Sequence, residues 1–599
     1  MKDAATSPAR IVQAGGLARL EAWMPVLVLL IAGGGLPLLG DSYFGVIGTR
    51  ACIYWVLVSG LNLVVGFAGQ IAIGWVALLT LGAYVTSVLT AGNVMPELSP
   101  YLALAIAAAF GAIAGVIVGL PALRLRTFYF AMTTLGFATI VTQVALAWKS
   151  VTGGGVGVPG PIIPWPFSTP WGFYYFCLGL AVICTWMTMN VATSRFGRAL
   201  VAIRDAEVAA ESVGIFKPSL LVTVFLFSGA VAGVAGGLFA SLQSYITPDA
   251  FTFDLSVLFF IAILIGGRGS ILGPLLGTII LTALPEFAAP LVAWSTFLYA
   301  TLLLVIVLVV PGGIAEMLDF KNRRPLERHR EIRPRPELLQ AVLDHNAPPG
   351  VLALKNVSLS FGGVHAIESL NFEIRTGEVH GLIGPNGSGK TTTLNVISGY
   401  YAPQEGQVLL NGVALRPRAP HRRAGYRIAR TFQTPRLVGV ESVLENVMIG
   451  GTTDGRASFV EALLSLPRHH RDEAQLREAA TAALTAVGLE QLASARADRL
   501  QHSELRFVEI ARALMLHPSF LLLDEPAAGL SVEEIKRLGD LIVTISRRGT
   551  GVLLVEHHAD LIFDICDRVT VLNLGKELAS GTPAEIRAHR EVINAYLGA

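Results

Sequence analysis

Three short stretches of the sequence carry residues whose types and order suit phosphate chemistry. The first is the run Gly384, Pro385, Asn386, Gly387, Ser388, Gly389, Lys390, Thr391, Thr392, which follows an apolar stretch at 378–383. Glycines in this pattern let backbone N–H groups turn toward phosphate oxygens at a helix start, Lys390 neutralises the β- and γ-phosphates, and the Thr391 hydroxyl ligates Mg2+. A plain glycine turn between strand and helix would explain the glycines but not Lys390 followed by Thr391. The second stretch is apolar at 520–523 and ends in Asp524 and Glu525. Asp524 suits the outer sphere of Mg2+, and Glu525 is placed to polarise an attacking water. The third, apolar at 552–555, runs into Glu556 and His557, where a histidine can touch the γ-phosphate and sense its loss.

Each piece stands at the end of an apolar strand pattern, as in a P-loop α/β domain. That domain cannot be the whole chain. Of the 599 residues, 24 of the first 320 are charged, against 64 of the remaining 279. A chain so divided, 7.5% charged and then 23%, is a membrane half joined to a soluble half, which excludes a single globular domain, a disordered chain and a secreted disulfide scaffold. The formal net charge of +2 makes no case for nucleic acid as a partner. Cys52, Cys177 and Cys184 lie in apolar runs and Cys566 stands alone, so neither disulfides nor a zinc site are expected.

Ten apolar runs long enough to cross a bilayer, or nearly so, occur at 23–39, 47–65, 71–89, 101–120, 128–148, 173–191, 220–242, 255–265, 273–291 and 294–310. The run at 255–265 is short and reads as a half-helix or re-entrant segment. With the N-terminus inside, ten basic residues fall on the inner side (Lys2, Arg10, Arg19, Arg124, Arg126, Arg195, Arg198, Arg204, Lys217, Arg268) and Lys149 on the outer. Loops retained in the cytoplasm collect Lys and Arg, so this bias sets the topology and places residue 311 onward in the cytoplasm. The N-terminal residues also fit a secretory signal, but a retained first span is preferred because a polytopic chain needs no cleavage. Glu286, near a span end, could serve as a charged ligand site, but a loop-facing acid is the preferred reading.

Two connecting segments stand apart. Residues 321–350 are basic, contain proline and show no apolar face, which is the composition of an interdomain linker. The segment SRFGRALVAIRDAEVAAESVGI has a helix-forming composition, with Arg195, Arg198 and Arg204 early and Asp205, Glu207 and Glu211 later. It reads either as a solvated loop helix or as a helix that docks on an ATPase.

Residues 351–599 resemble the ATP-binding subunit of an ATP-binding cassette (ABC) transporter of the branched-chain amino acid importer group. The likeness rests on GPNGSGKTTTLNVISG, ARTFQTPRL, VLENVMIG, EIARAL, LLLDEPAAGL, VEHH and GTPAEIRAHREVINAYLG, in that order. Residues from about 43 to 318 resemble the permease of the same group through NLVVGFAGQIAIG, GLPALRLRTFYFAMTTLGFATI, SRFGRALVAIRDAEVAAESVGI and GGRGSILGPLLGT. The resemblance implies an α-helical polytopic membrane domain (22–318, after a cytoplasmic 1–21), a linker at 319–350 and an α/β ABC ATPase domain at 351–599. It implies ATP and Mg2+ as cofactors, Phe361 as the adenine-stacking aromatic, Gln433 as the Q-loop residue and a Mg2+ ligand beside Thr391 and Asp524, and Glu525, His557 and Gln433 as the catalytic set. Ala209, Ala210 and Gly214 match the A-A-x-x-x-G of the permease helix that docks on the cassette.

The sequence departs from the family where a signature of the form L-S-x-G-Q or L-S-H-G-E is expected, reading Leu500, Gln501, His502, Ser503, Glu504. Ser531 stands where many cassettes have an aspartate, and His558 where an acid often follows the switch histidine. The expected function is ATP-driven import of a small solute, branched-chain or other amino acids first, by a natural permease–ATPase fusion in the bacterial inner membrane. Its expected partners are a second ABC ATPase subunit, a second permease subunit and a periplasmic solute-binding protein. Competing readings are an importer of urea, short amides or aromatic acids, a homodimeric half-exporter, and a membrane-tethered signalling ATPase.

Overall fold

A computed structural model describes residues 33–39, 42–92, 96–125, 127–288 and 349–597, with scattered residues between 294 and 343. The expected spans at 23–39 and 294–310, most of the linker, and the N-terminal segment lie largely outside the described residues. The chain divides into two compact units, Met1–Ala192 with Pro218–Arg323, and Thr193–Lys217 with Arg324–Ala599.

The first unit is helical. Among the described residues six helical stretches are long and apolar enough to cross a membrane: Tyr43–Phe67, Pro100–Leu123, Thr127–Ala147, Pro170–Ala192, Lys217–Gln243 and Pro248–Gly266. Its main helices are α1 (Ser42–Asn62), α2 (Val76–Thr90), α3 (Pro100–Gly119), α4 (Thr127–Ala147), α5 (Pro170–Ala192), α7 (Lys217–Gln243), α8 (Phe253–Gly266) and α9 (Gly273–Ala288).

Three sequence expectations change here. The run at 255–265 lies within α8, and with the turn at Pro248–Ala250 before that helix the apolar stretch Pro248–Gly266, 19 residues, is long enough to span. The run at 71–89 is helical only from Val76, because α1 loosens into a π-turn over Leu63–Phe67 and the chain then runs unwound to Trp75. In this unwound stretch the Ile73 and Gly74 N–H groups both donate to Thr134 Oγ1 at 3.2 Å, which keeps irregular backbone satisfied away from water. Glu286 is not in a loop. It lies on α9 and accepts the Tyr43 hydroxyl.

Helices α2, α3 and α7 meet backbone to backbone. A Cβ on Gly111 would stand 2.4 Å from the Gly229 carbonyl, and one on Gly233 would stand 2.2 Å from that of Ala107. Small residues spaced four apart, Gly111 with Gly115 and Gly229 with Gly233, are what such close helix packing in lipid requires. All four cysteines are buried and unbridged.

The second unit holds α6 (Arg195–Ser212) and the α/β domain. Its strands are β1 (Val351–Phe361), β2 (Val364–Arg375), β3 (Val379–Ile383), β4 (Glu405–Leu410), β5 (Val413–Ala414), β6 (Ile428–Arg430), β7 (Phe520–Asp524), β8 (Gly551–Val555), β9 (Arg568–Asn573) and β10 (Lys576–Gly581). One sheet runs β10-β9-β3-β8-β7-β6, with only the β9–β10 pair antiparallel, and a second, antiparallel sheet runs β2-β1-β4-β5. β3, β7 and β8 are buried along their whole length, which is why they read as unbroken apolar runs and not as alternating ones. Leu352, Leu354, Ile367, Leu382, Phe520, Leu522, Leu553 and Val555 share one core across both sheets, each fully buried leucine contributing about 1.5–3 kcal/mol.

The segment expected to be a linker without an apolar face is partly folded onto this unit. Leu339 and Leu343 are buried, and the Arg335 N–H donates to Ala486 O at the end of the helix Pro467–Ala486 (α12). Two leucines one helical turn apart are enough apolar surface to seat a short segment, although they are too few to show as a periodic pattern.

Candidate active site

Because β3, β8, β7 and β6 are parallel neighbours, their C-terminal ends lie side by side. Val555 pairs with both Leu382 and Asp524, and Arg430 pairs with Leu522. The loop after β3 carries Gly384 to Gly389 into helix α10 (Lys390–Ile397), with Asn386, Gly387 and Thr391 exposed and Thr392 half-buried. Gly389 has φ +101°, and a Cβ there would stand 2.4 Å from Ala366 O on β2, so only glycine lets the loop turn this close to the neighbouring strand. The Lys390 side chain folds back over the loop, donating to Gly384 O at 2.7 Å and Pro385 O at 2.9 Å. Burial lowers its pKa, and Glu525 and Asp524 pull it back up.

The three residues expected to act together do meet. Glu525 accepts the Gln433 side-chain amide at 2.7 Å on one oxygen and bonds His557 Nε2 at 2.8 Å on the other. Glu525 holds φ +48°, a left-handed conformation uncommon for a residue with a side chain, while its own N–H bonds Val555 O at 2.8 Å. Such a conformation persists only where surrounding contacts over-determine it, and it turns the carboxylate off the strand end toward Gln433 and His557. Glu556, buried at the end of β8, accepts from the N–H groups of Ala527 and His557, tying the loop after Glu525 to the His557 backbone. Burial raises the Glu556 pKa against those hydrogen bonds.

Asp524 is buried and pairs through Oδ2 with Arg430 at 3.1 Å, whereas its Oδ1 finds no hydrogen-bond partner among the described residues. The Ser388 hydroxyl is likewise buried without a partner among them. Orphaned oxygens of this kind are costly unless something cationic or hydrogen-bonding meets them, so the loop and strand end fit a hydrated Mg2+ beside a phosphate chain. Phe361, at the end of β1, is half exposed and meets the edge of Tyr401 at 5.2 Å between ring centroids.

Sequence reasoning missed the residues that hold these groups in place. Helix α13 (His502–Leu514) sends three buried charges to the Gln433 loop: Arg506 donates to Phe432 O at 2.9 Å, Glu509 accepts from the Phe432 N–H at 3.3 Å, and Arg512 donates to Arg436 O at 2.7 Å. Burial lifts the Glu509 carboxyl to about 7 despite Arg512 and Arg506 beside it. A signal for two of them exists in EIARAL, where Glu509 and Arg512 stand three apart on an otherwise apolar helix.

At the start of α13, Gln501 is exposed and its N–H bonds Glu504, while Ser503 is buried. Ser531 caps the following helix (Val532–Arg547, α14) through Glu534, and His558 precedes the helix Ala559–Ile565.

Helix α6 packs on this same unit. Arg198 donates to both oxygens of Glu473 on α12, and the Arg195 N–H bonds the same carboxylate at 2.7 Å. The Arg195 guanidinium gathers the carbonyls of Thr452, Gly455 and Ala457. The helix breaks at Ala206 (φ −146°, ψ 56°), and beyond the break Ala206, Val208 and Ala209 pack with Tyr400 and Phe432.

The same sequence matches three known families. Residues 44–310 match the branched-chain amino acid transport system permease component, 367–528 the ABC transporter ATPase, and 576–599 the branched-chain amino acid ATP-binding cassette transporter. The high-affinity branched-chain amino acid transport ATP-binding protein LivG of Salmonella typhimurium is 37% identical over 249 residues, 41% of this chain and 98% of that protein. The chain belongs to the branched-chain amino acid ABC transporter family. BraF of Pseudomonas aeruginosa, of the same description, is 36% identical over 249 residues, 41% of this chain and 98% of that protein. A solved ABC transporter cassette in its ADP conformation is 29% identical, covers 42% of this chain and 99% of that one, and has a TM-score of 0.37. By the family matches and LivG, the chain is a permease fused to a transport ATPase that binds nucleotide.

Proposed function

We propose that this chain imports a small solute, branched-chain or other amino acids, by ATP-driven alternation of a bacterial inner-membrane complex, with the α/β unit in the cytoplasm and about ten spans in the membrane. The observation that carries the reading is α6: a stretch from within the permease match is bound into the ATPase unit through Arg195, Arg198 and Glu473, so movement of the cassette reaches permease residues through a docked helix.

In this reading Gly384 to Thr392 cradle the phosphates, Lys390 neutralises them, and Phe361 stacks on the adenine. Thr391, Asp524 and Gln433 face Mg2+, which when bound offsets phosphate charge. Glu525 orients and polarises the attacking water, Gln433 and His557 hold its two oxygens, and His557 senses the γ-phosphate. The altered start of α13 supports a heteromeric complex. Gln501 and Ser503 offer a facing nucleotide neither the serine nor the glycine of an intact signature, and Ser503 is buried. A second ATPase subunit with an intact signature, a second permease and a periplasmic solute-binding protein complete the complex.

The test is uptake into proteoliposomes holding the complete complex, with labelled leucine, other amino acids, urea, a short amide and an aromatic acid compared. ATP-dependent uptake of amino acids above the others is expected. Uptake of urea, an amide or an aromatic acid alone would replace the substrate, and outward movement would overturn the importer.

A further inference from the structure

One buried cation belongs to none of the roles above. Arg430 closes β6, is almost wholly shielded from solvent, and its two Nη groups bond three side chains, while Nε finds no partner among the described residues. Nη2 bonds Asp524 Oδ2 at 3.1 Å, and Nη1 bonds Asn395 Oδ1 on α10 at 2.7 Å and the Ser398 hydroxyl just beyond it at 3.3 Å. Its central carbon also lies 5.1 Å from the Phe432 ring centre and 5.8 Å from that of Tyr400. These are the two rings on which the second half of α6 rests, and the Tyr400 hydroxyl bonds Val208 O at 2.5 Å. A planar guanidinium can serve hydrogen bonds at its edge and aromatic rings at its face together, which an ammonium cannot.

We infer that Arg430 is a positioning residue that joins the Asp524 carboxylate to the aromatic seat of α6, so that a cation drawn to Asp524 and the docked helix are felt by one rigid group. The inference rests on the proposed roles of Asp524 and α6. A cation approaching Asp524 competes with Arg430 for the carboxylate. The guanidinium is held on Asn395 and Ser398 while its hold on Asp524 slackens, and any turn of its plane is transmitted to the Tyr400 and Phe432 rings. Backbone bonds run the same way: Tyr400 N–H donates to Asn395 O at 2.9 Å, and Thr431 N–H to Leu522 O at 2.9 Å, so the ring, the helix and both strands form one connected body.

The experiment uses the full chain, in its complex, in lipid nanodiscs, with two readouts: the Mg2+ concentration giving half-maximal ATP hydrolysis, and hydrogen exchange of the 205–213 amides with and without Mg-ATP. Removing one partner of a buried ion pair is severe, so Arg430→Met is expected to raise the half-saturating Mg2+ by about tenfold and to abolish the Mg-ATP response of 205–213. Arg430→Lys restores the charge but not the planar face, and is expected to recover most of the Mg2+ dependence while the exchange response stays lost. Tyr400→Phe, a milder change that still reports if the Arg430 variants fail to fold, keeps the Asp524 pair and weakens only the exchange response. An unshifted Mg2+ dependence in Arg430→Met, full rescue of both readouts by lysine, or an unaltered exchange response in Tyr400→Phe would each overturn the inference. Absence of Mg2+-dependent hydrolysis in the unmodified complex would instead defeat the transport ATPase reading itself.

Discussion

Arg198 of α6 and Glu473 of α12 form a two-pronged pair, Nη2 lying 2.9 and 2.8 Å from the two carboxylate oxygens, with Arg198 buried and Glu473 nearly so. They are 275 residues apart, one inside the permease match and one inside the ATPase unit. Replacing Glu473 by alanine leaves a buried guanidinium without its partner and frees the Arg195 N–H, a loss that for such pairs is about 3–5 kcal/mol. Glu473→Ala is therefore expected to lower solute moved per ATP hydrolysed by about tenfold or more while ATP still binds. Val208→Asp, which sets a charge against Tyr400 and Phe432, should do the same. Full coupling in both variants, measured by uptake and hydrolysis in the same proteoliposomes, would reduce α6 to a passive loop.

Lys390→Ala and Glu525→Gln separate phosphate binding from water activation. The first removes the ammonium that now rests on Gly384 O and Pro385 O and should abolish ATP-dependent uptake without loss from the membrane. The second keeps the shape that receives Gln433 and His557 but cannot polarise water, so ATP should remain bound and hydrolysis should fall by about a hundredfold or more. Trapped nucleotide after rapid filtration distinguishes them; normal turnover in Glu525→Gln would remove Glu525 from the catalytic role.

The start of α13 predicts unequal sites. A site using this chain's Lys390, Asp524 and Glu525 with an intact partner signature should hydrolyse ATP, whereas the site facing Gln501 and Ser503 should bind it and turn over slowly. Each lost donor to a transition-state phosphate costs about 2.7–4 kcal/mol. In the complete complex Glu525→Gln should nearly stop hydrolysis, and the equivalent change in the second ATPase subunit should matter less. Equal losses from the two changes, or full activity from this chain alone as a homodimer, would contradict the asymmetry.

At the start of the helix Val443–Gly450, burial together with the neighbouring Glu445 carboxylate raises the Glu441 pKa from 4.5 to about 8. The folded state therefore holds a proton that the unfolded chain releases at lower pH. The stability tied to it is fully present below about 4.5 and is lost as pH rises through about 8. The melting temperature of the second unit's transition in the full chain should fall between about pH 4.5 and 8 and level off above, and Glu441→Gln, which carries a donor at every pH, should flatten that fall. An identical slope in the variant would show that Glu441 does not titrate there.

What could be read along the chain was whatever is local or periodic. Gly384 to Thr392 stand in one loop and the first turn of the helix it enters, Asp524 and Glu525 end one apolar strand, and the contrast in charge between the two halves survives any arrangement in space. Parallel strands buried on both faces leave unbroken apolar runs, so β3, β7 and β8 announced themselves together with the residues at their ends. Span lengths were less legible. Hydropathy does not register hydrogen bonds, and nothing in the apolar run at 71–89 shows that Thr134 takes two of its N–H groups and lets the first residues stay unwound.

Only the tertiary structure decided the pairings between distant residues. Asn62 donates to Ser270 O at 2.8 Å and accepts the Gly269 N–H at 3.1 Å, joining two permease motifs more than two hundred residues apart. Arg430 reads in sequence as one more arginine beside a strand, and becomes a shared partner of Asp524, Tyr400 and Phe432 only when β6 lies beside β7 and α6 folds over both rings. A buried charge reveals its role through the partner that makes its burial tolerable, and that partner is supplied by packing across the fold and leaves no trace in the neighbouring residues.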